Sequence, residues 1–183
     1  MTRPVVGLDL SLTSTGIAVH GAGIPDWAGT IKSKGAKTDT WEMRRKRLDG
    51  IVSRVIPPIP QGALVAMEAP SYGSTTGSAH DRSGLWWMVF DVLTVQGYAV
   101  IPVAPTVRAK YATGKGNAGK DAVLAAAVRR YPGIEIDDNN VADAVVLMAI
   151  GCRLLGEPID DPMPATHLAA LDKLPALELK ETA

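Results

Sequence analysis

Three acidic residues interrupt segments of this chain that are otherwise apolar. Asp9 lies in PVVGLDL, Glu68 directly follows ALVAM, and Asp143 lies within VADAVVLMAI. A buried carboxylate is costly unless a metal ion or hydrogen bonds compensate its charge. Each residue taken alone could equally well end an element or cap a helix. Three acids in three apolar segments favour one shared explanation, which is a metal site.

The order of apolar runs and turn residues predicts a three-strand meander, a helix, a strand, a helix, a strand and further helices. The predicted strands are Pro4–Leu10, Gly16–His20, Trp27–Lys32, Ala63–Met67 and Tyr98–Val103. The predicted helices are Asp39–Ile56, Leu85–Leu93, Thr106–Tyr111, Lys120–Arg130 and a last helix from Asn139 or Asn140 to about Leu155, with loops over 69–82 and 113–119. This order predicts an α/β protein of the RNase H-like class. Its five-stranded mixed sheet, the meander plus two parallel strands, would be flanked by helices.

Length and composition indicate one ordinary domain. The chain has 183 residues, of which 46% are hydrophobic, and this is ample for a single packed core. We expect the domain to span residues 1–156, and residues 157–183 to form a C-terminal tail with one short helical pattern at Thr166–Lys173. The 19 basic and 19 acidic residues cancel, so the net charge neither demands nor excludes a nucleic-acid partner.

Cysteine content and hydropathy indicate the cellular compartment that we expect for the protein. Cys152 is the single cysteine, so the chain has no internal disulfide, and no Cys/His spacing points to zinc. No segment approaches the roughly 20 apolar residues that span a bilayer, and no apolar signal region opens the chain. We therefore expect a cytoplasmic protein with no membrane partner.

The acidic residues suit magnesium chemistry. Carboxylate oxygens are ligands that Mg²⁺ prefers, and two such ions about 4 Å apart can activate water and stabilise the leaving oxygen of a phosphodiester. Asn140 lies on the same helical face as Asp143 and is our preferred fourth ligand. Asp137 and Asp138 could approach the same ions, although capping the helix is their simpler role. The pattern therefore predicts hydrolysis of a nucleic-acid backbone.

Four segments, in this order, carry a resemblance to a known family: VVGLDLSLTSTGIAV, VAMEAP, ATGKGNAGKD and NNVADAVVLMAIG. The chain resembles the RuvC-type Holliday junction resolvases, in particular those of bacteriophages, over residues 4–152. The resemblance implies a catalytic, metal-binding tetrad at Asp9, Glu68, Asp143 and the position of Asn140. Many family members have Asp at that last position and some have His, so Asn140 is a departure from the pattern.

The resemblance also implies cofactors and partners. It implies two Mg²⁺ ions per active site, with Mn²⁺ as a substitute. Enzymes of this family work as homodimers that nick two strands of a four-way DNA junction, and forks or flaps are further candidate substrates here. The dimer contact of the family corresponds to Leu85–Leu93, a helix that is apolar nearly all round.

Basic and aromatic residues are the candidates for DNA contact. Lys115 and Lys120 bracket a glycine-rich loop that lets backbone and ammonium groups approach phosphates. The resemblance favours Lys120 as the residue at the scissile phosphate, whereas the alternative is a solvated loop with two surface lysines. Arg108 and Lys110 would add to the same basic face. Tyr72 could stack on an unpaired base, although loop packing explains it equally well.

Two other function classes compete with a nuclease. The segment GLDLSLTSTG is also similar to the opening of actin-like ATP-binding proteins, but that fold needs a second domain for which 183 residues leave no room. A DNA-binding relative whose metal site has decayed is the other alternative, and Asn140 is the feature that suggests it.

Overall fold

Five strands form one mixed sheet. The computed structural model describes residues 3–21, 23, 25–70, 78–175 and 177. Its strands are β1 (Val5–Asp9), β2 (Ser14–His20), β3 (Trp27–Lys32), β4 (Leu64–Glu68) and β5 (Ala99–Val103). The first three form an antiparallel meander, and β4 and β5 run parallel to β1, in the order β3-β2-β1-β4-β5. The predicted α/β fold with a five-stranded mixed sheet is confirmed.

Helices connect and cover the strands. In the part of the chain that the structure describes, they are α1 (Trp41–Val55), α2 (Ala79–Val95), α3 (Pro105–Thr113), α4 (Lys120–Arg130), α5 (Asn139–Leu154) and the single turn α6 (Ala165–Leu168). A 3-10 turn follows at Leu171–Lys173, so the short helical pattern of the tail becomes two separate turns. None of these helices is long and apolar enough to cross a membrane.

Helix α2 begins earlier than its apolar pattern indicates. The sequence predicts a start at Leu85 and a loop up to residue 82, but the helix starts at Ala79. The added turns are polar, so hydrophobic periodicity does not detect them. A tertiary contact holds them, because the Arg44 guanidinium of α1 donates to both carboxylate oxygens of Asp81, at 2.8 and 2.6 Å.

The sheet separates two apolar cores. One core lies between the sheet and α3, α4 and α5, and the other lies between the sheet and α1 and α2. Successive strand residues point to opposite faces. On β1, Val5 therefore packs in the α5 core, whereas Val6 and Leu8 pack in the α1 and α2 core. Asp9, four positions after Val5, shares the face that α5 covers.

Part of the C-terminal tail packs against the domain, and the boundary at residue 156 stays a prediction. Asp160 is buried and accepts hydrogen bonds from the hydroxyls of Tyr111 and Tyr131 and from the Arg153 guanidinium, at 2.8, 2.9 and 2.6 Å. Burial raises the pKa of both phenols, so they remain protonated donors. Ala170 is fully buried in the α5 core. A sequence rich in proline gives no periodic signal for such packing.

Candidate active site

Asp9 and Glu68 end two neighbouring parallel strands. Leu8 of β1 pairs with Met67 of β4, so the acidic residues that follow lie side by side at the carboxyl edge of the sheet. Glu68 shares a strand face with Ala66, which packs in the α5 core. Both carboxylates therefore project from the sheet on the side of α5.

Asp143 completes the acidic group from the helix above. It lies on α5, where it is 2% exposed among apolar neighbours from Val141 to Cys152 that are also buried. Asp138 caps this helix, because its carboxylate accepts a hydrogen bond from the backbone N–H of Val141 at 2.8 Å. The cap starts α5 at a point from which Asp143 is directed towards the strand ends.

Arg108 bridges two of the three acids. Its Nε donates to Glu68 Oε2 at 2.5 Å, and its Nη1 donates to Asp143 Oδ1. The Arg108 side chain is only 8% exposed. The α3 helix turns Arg108 inward, where it pairs with carboxylates that would otherwise lie uncompensated. Its predicted contribution to a basic, DNA-contacting face stays a prediction.

Asp9 has an unusual protonation equilibrium. Burial raises the pKa of its carboxyl from 3.8 to about 7, and the negative charges of Glu68 and Asp138 add to the rise. The positive charges of Arg108 and Lys120 act in the opposite direction. These influences also show that Lys120 and Asp138 lie close enough to Asp9 to act on it. Near neutral pH, Asp9 is therefore present in both protonation states.

The donor chemistry suits a hard divalent cation, but the side chains are not arranged as a metal-binding cluster. Asp9, Glu68 and Asp143 supply carboxylate oxygens, the ligand type that Mg²⁺ prefers. Within the described residues, however, no three His, Cys, Asp or Glu side chains are positioned to hold a metal ion. Arg108 takes one oxygen of Glu68 and one of Asp143 instead. Arg108 would therefore compete with a metal ion for two of the three carboxylates.

A cleft opens beside the acidic group. Its volume is about 610 Å³, and its walls include Asp9, Glu68, Lys120 and Trp86. Trp86 lies in the segment predicted for the dimer contact, and its indole N–H donates to the backbone carbonyl of Glu68 at 2.9 Å. Lys120, exposed at the first position of α4, adds a positive charge to the acidic wall. The cleft can thus admit an anionic group next to the carboxylates.

Comparison with known proteins identifies the fold. No protein-family model matches the chain, and no curated protein is similar to it in sequence. The solved structure of Thermus thermophilus RuvC matches with a TM-score of 0.59 and 23% identity, over 85% of this chain and 98% of that one. This chain has the RNase H-like fold of RuvC. T. thermophilus RuvC in complex with a Holliday junction substrate matches with a TM-score of 0.61 and 18% identity, over the same shares.

The two loop lysines of this RuvC-like fold line different surfaces. Lys120 borders the acidic cleft, whereas Lys115 borders a larger groove of about 930 Å³ beneath α4, together with Arg129 and Arg130. Both lysines are exposed. Lys110 is half-buried and donates to the backbone carbonyl of Ala169 at 3.2 Å, so it binds the tail. Its place on the predicted basic face stays a prediction.

The remaining predicted site residues are Asn140, Asp138, Asp137 and Tyr72. Asn140 is half-buried in the first turn of α5, and its backbone carbonyl faces Gly16 of β2. Asp138 serves as the helix cap, and Asp137 is exposed. Tyr72 lies outside the described residues. The identity of a fourth metal ligand therefore stays a prediction.

Proposed function

We propose that this protein is a metal-dependent endonuclease that cuts branched DNA, including four-way junctions, by phosphodiester hydrolysis. The proposal rests on one observation above all, which is that Asp9, Glu68 and Asp143 meet at one edge of a sheet with the fold of RuvC. Three buried or half-buried acids at that position would be an expensive arrangement without a cationic partner. A RuvC of the same fold has been solved with a Holliday junction substrate, which supports this choice of substrate.

The proposed cofactor is Mg²⁺, with Mn²⁺ as a substitute, and the proposed ligands are the same three carboxylates. Two divalent ions bound there would supply activation of a water molecule and charge stabilisation at the leaving oxygen. In our proposal, the amide oxygen of Asn140 is the fourth ligand. Because an amide is neutral, it would hold a second ion more weakly than a carboxylate.

The proposed DNA contact is electrostatic and centres on Lys120. Its ammonium lies at the cleft wall, near enough to Asp9 to lower the pKa of that carboxyl. A phosphate entering the cleft would therefore meet a positive charge beside the reacting group. Lys115, on the neighbouring groove with Arg129 and Arg130, would contact the backbone of a DNA arm farther from the cut.

We further propose a homodimer formed through α2. Leu85, Trp86, Val89 and Leu93 of this helix are buried, yet Trp87 and Val95 on its outer side are 60% and 79% exposed. A second copy would cover these apolar side chains. Light scattering after gel filtration should give wild-type protein a mass twice that of the chain, whereas Trp87→Asp should have the mass of a monomer. A monomeric mass for both wild-type protein and Trp87→Asp would contradict the proposed homodimer.

The primary experiment compares DNA substrates and metals. Purified protein is incubated with labelled four-way junction, three-way fork and linear duplex DNA, with Mg²⁺, with Mn²⁺ or with EDTA. We expect cutting of the branched substrates with either metal, and none with EDTA or on linear duplex. Binding of junctions without cutting, under all conditions, would replace the nuclease with the non-catalytic DNA-binding alternative.

Site variants connect the activity to the acidic group. Asp9→Asn and Glu68→Gln should lose cutting but retain junction binding in EDTA, measured by gel shift on protein shown to be folded. Lys120→Ala should lose more cutting than Lys115→Ala. Lys46→Ala is the matched control, because Lys46 is exposed on α1, on the opposite side of the sheet. Equal activity of Lys120→Ala and Lys46→Ala would exclude Lys120 from the reaction.

A further inference from the structure

Arg108 occupies the position in which a cation of the acidic group is expected. It reaches Glu68 and Asp143 from α3, at sequence separations of 40 and 35 residues, and its side chain is 8% exposed. The Asp143 side chain is 3% exposed and that of Glu68 is 19% exposed. A guanidinium in this position stabilises the two carboxylates, because an unpaired buried charge is strongly destabilising.

A divalent ion and this guanidinium would bind the same two carboxylates. Arg108 uses Glu68 Oε2 and Asp143 Oδ1, and these oxygens belong to the donor set proposed for the metal. A doubly charged ion bound between the carboxylates would also repel the nearby positive guanidinium, most strongly where water is excluded. The two cations therefore compete for the acidic group.

We propose that Arg108 is the resident counter-ion of the acidic group, and that a divalent metal ion enters only by displacing it. Arg108 then acts as a positioning residue that keeps the carboxylates in place without metal and sets the metal concentration at which the site fills. This inference rests on the metal dependence proposed above, but it concerns binding, so it can be tested apart from DNA cutting.

The test is a titration of wild-type protein and of Arg108→Gln with Mn²⁺ alone. Binding is measured by calorimetry at neutral pH. Removing a charged hydrogen-bonding competitor should tighten Mn²⁺ binding roughly tenfold. The Mn²⁺ affinity of Arg108→Lys should lie between those of wild type and Arg108→Gln, because one ammonium group cannot reproduce the forked contact with both acids. In EDTA, Arg108→Gln should also melt at a lower temperature than wild type, and Mn²⁺ should recover more of its stability.

Arg44→Gln is the matched control, because it also removes a guanidinium that holds a carboxylate, in this case Asp81 between α1 and α2. It should lower the melting temperature without changing Mn²⁺ affinity. Mn²⁺ binding to Arg108→Gln that is equal to, or weaker than, wild-type binding would overturn the proposal. Absence of Mn²⁺ binding in both proteins would overturn it as well.

A measurement on the wild-type protein keeps the test valid if Arg108→Gln fails to fold. The Nε–H resonance of Arg108, assigned with the help of Arg108→Lys, should exchange slowly with water in EDTA. Saturating Mg²⁺ should shift this resonance and speed its exchange, whereas an unchanged resonance would overturn the proposal. Displacement of Arg108 by metal in a protein that cuts no DNA would support the inference and reject the proposed nuclease.

Discussion

A Cβ atom added to Gly7 of β1 would lie 1.9 Å from the backbone carbonyl oxygen of Ala144 on α5. The helix and the central strand thus touch through backbone atoms. Gly16 on β2 is similar, since its added Cβ would lie 2.0 Å from the carbonyl oxygen of Asn140. This close approach places the segment of α5 that carries Asp143 directly over β1 and β2, beside the strand end at Asp9.

Gly7→Ala should therefore separate α5 from the sheet. The added methyl group meets backbone that cannot rotate away, so we expect a loss of about 3 kcal/mol or more in the free energy of unfolding, measured with urea. Gly29→Ala on β3 is the control, because an added Cβ there has no atom within 4 Å among the described residues. A Gly7→Ala variant as stable as Gly29→Ala would contradict the close packing of α5.

The raised pKa of Asp9 gives a stability prediction with a definite sign. With a pKa of about 7 in the folded protein and 3.8 as its ordinary value, Asp9 favours the folded state when protonated. Its ionisation in the unfolded chain lowers stability as the pH rises from about 4 to 7, and the full penalty applies above 7. In EDTA at pH 8, Asp9→Asn should thus raise stability by at least about 1 kcal/mol, or roughly 2–4 °C in Tm.

The same variant provides its own pH control. At pH 5 the advantage of Asp9→Asn over wild type should shrink, because the wild-type carboxyl is then protonated in the fold. Asp91→Asn, an exposed change on α2, should leave Tm unchanged at both pH values. Asp9→Asn protein that melts below wild type at pH 8 would show that the Asp9 carboxylate is stabilising.

Asp143→Asn should have the opposite effect on the metal-free protein. Asp143 is paired with the buried Arg108, and loss of its charge leaves that guanidinium with Glu68 alone. We expect a decrease of about 3 kcal/mol in the free energy of unfolding, measured with urea in EDTA. Asp9→Asn would thus stabilise the metal-free protein and Asp143→Asn would destabilise it, although both residues are proposed ligands of the same metal. Equal changes in the free energy of unfolding for the two variants would refute the pairing of Asp143 with Arg108.

The sequence predicts the strands and the three acids because their signals are local. An apolar run interrupted by a carboxylate is visible within ten residues, and the order of such runs restricts the topology. The predicted bounds of α4 match the structure, and the β5 bounds differ from it by one residue. Asp9, Glu68 and Asp143 are therefore found without any tertiary information.

The role of Arg108 has no comparable local signal. Its neighbours Val107 and Ala109 are buried, but Thr106 and Lys110 give α3 no clear apolar face. Whether Arg108 faces solvent or the acids depends on how α3 packs beside β4, which involves contacts across 40 residues of sequence. The early start of α2 depends in the same way on the ion pair between Arg44 and Asp81. The packing of the tail depends on hydrogen bonds to Asp160 from the distant residues Tyr111 and Tyr131.

Asp160 and Asp161 both pair with Arg153, but the contact of Asp160 is buried and that of Asp161 is exposed. Both carboxylates accept from Arg153 Nη2, at 2.6 and 2.7 Å, but the Asp160 side chain is fully buried and that of Asp161 is 56% exposed. Asp160→Asn should lower the free energy of unfolding by about 3 kcal/mol, because Arg153 loses its buried partner. Asp161→Asn should cost less than about 1 kcal/mol, since solvent screens that contact. Urea unfolding of both variants, followed by tryptophan fluorescence, measures the difference, and equal losses would mean that residues near 160 do not stabilise the domain through this buried contact.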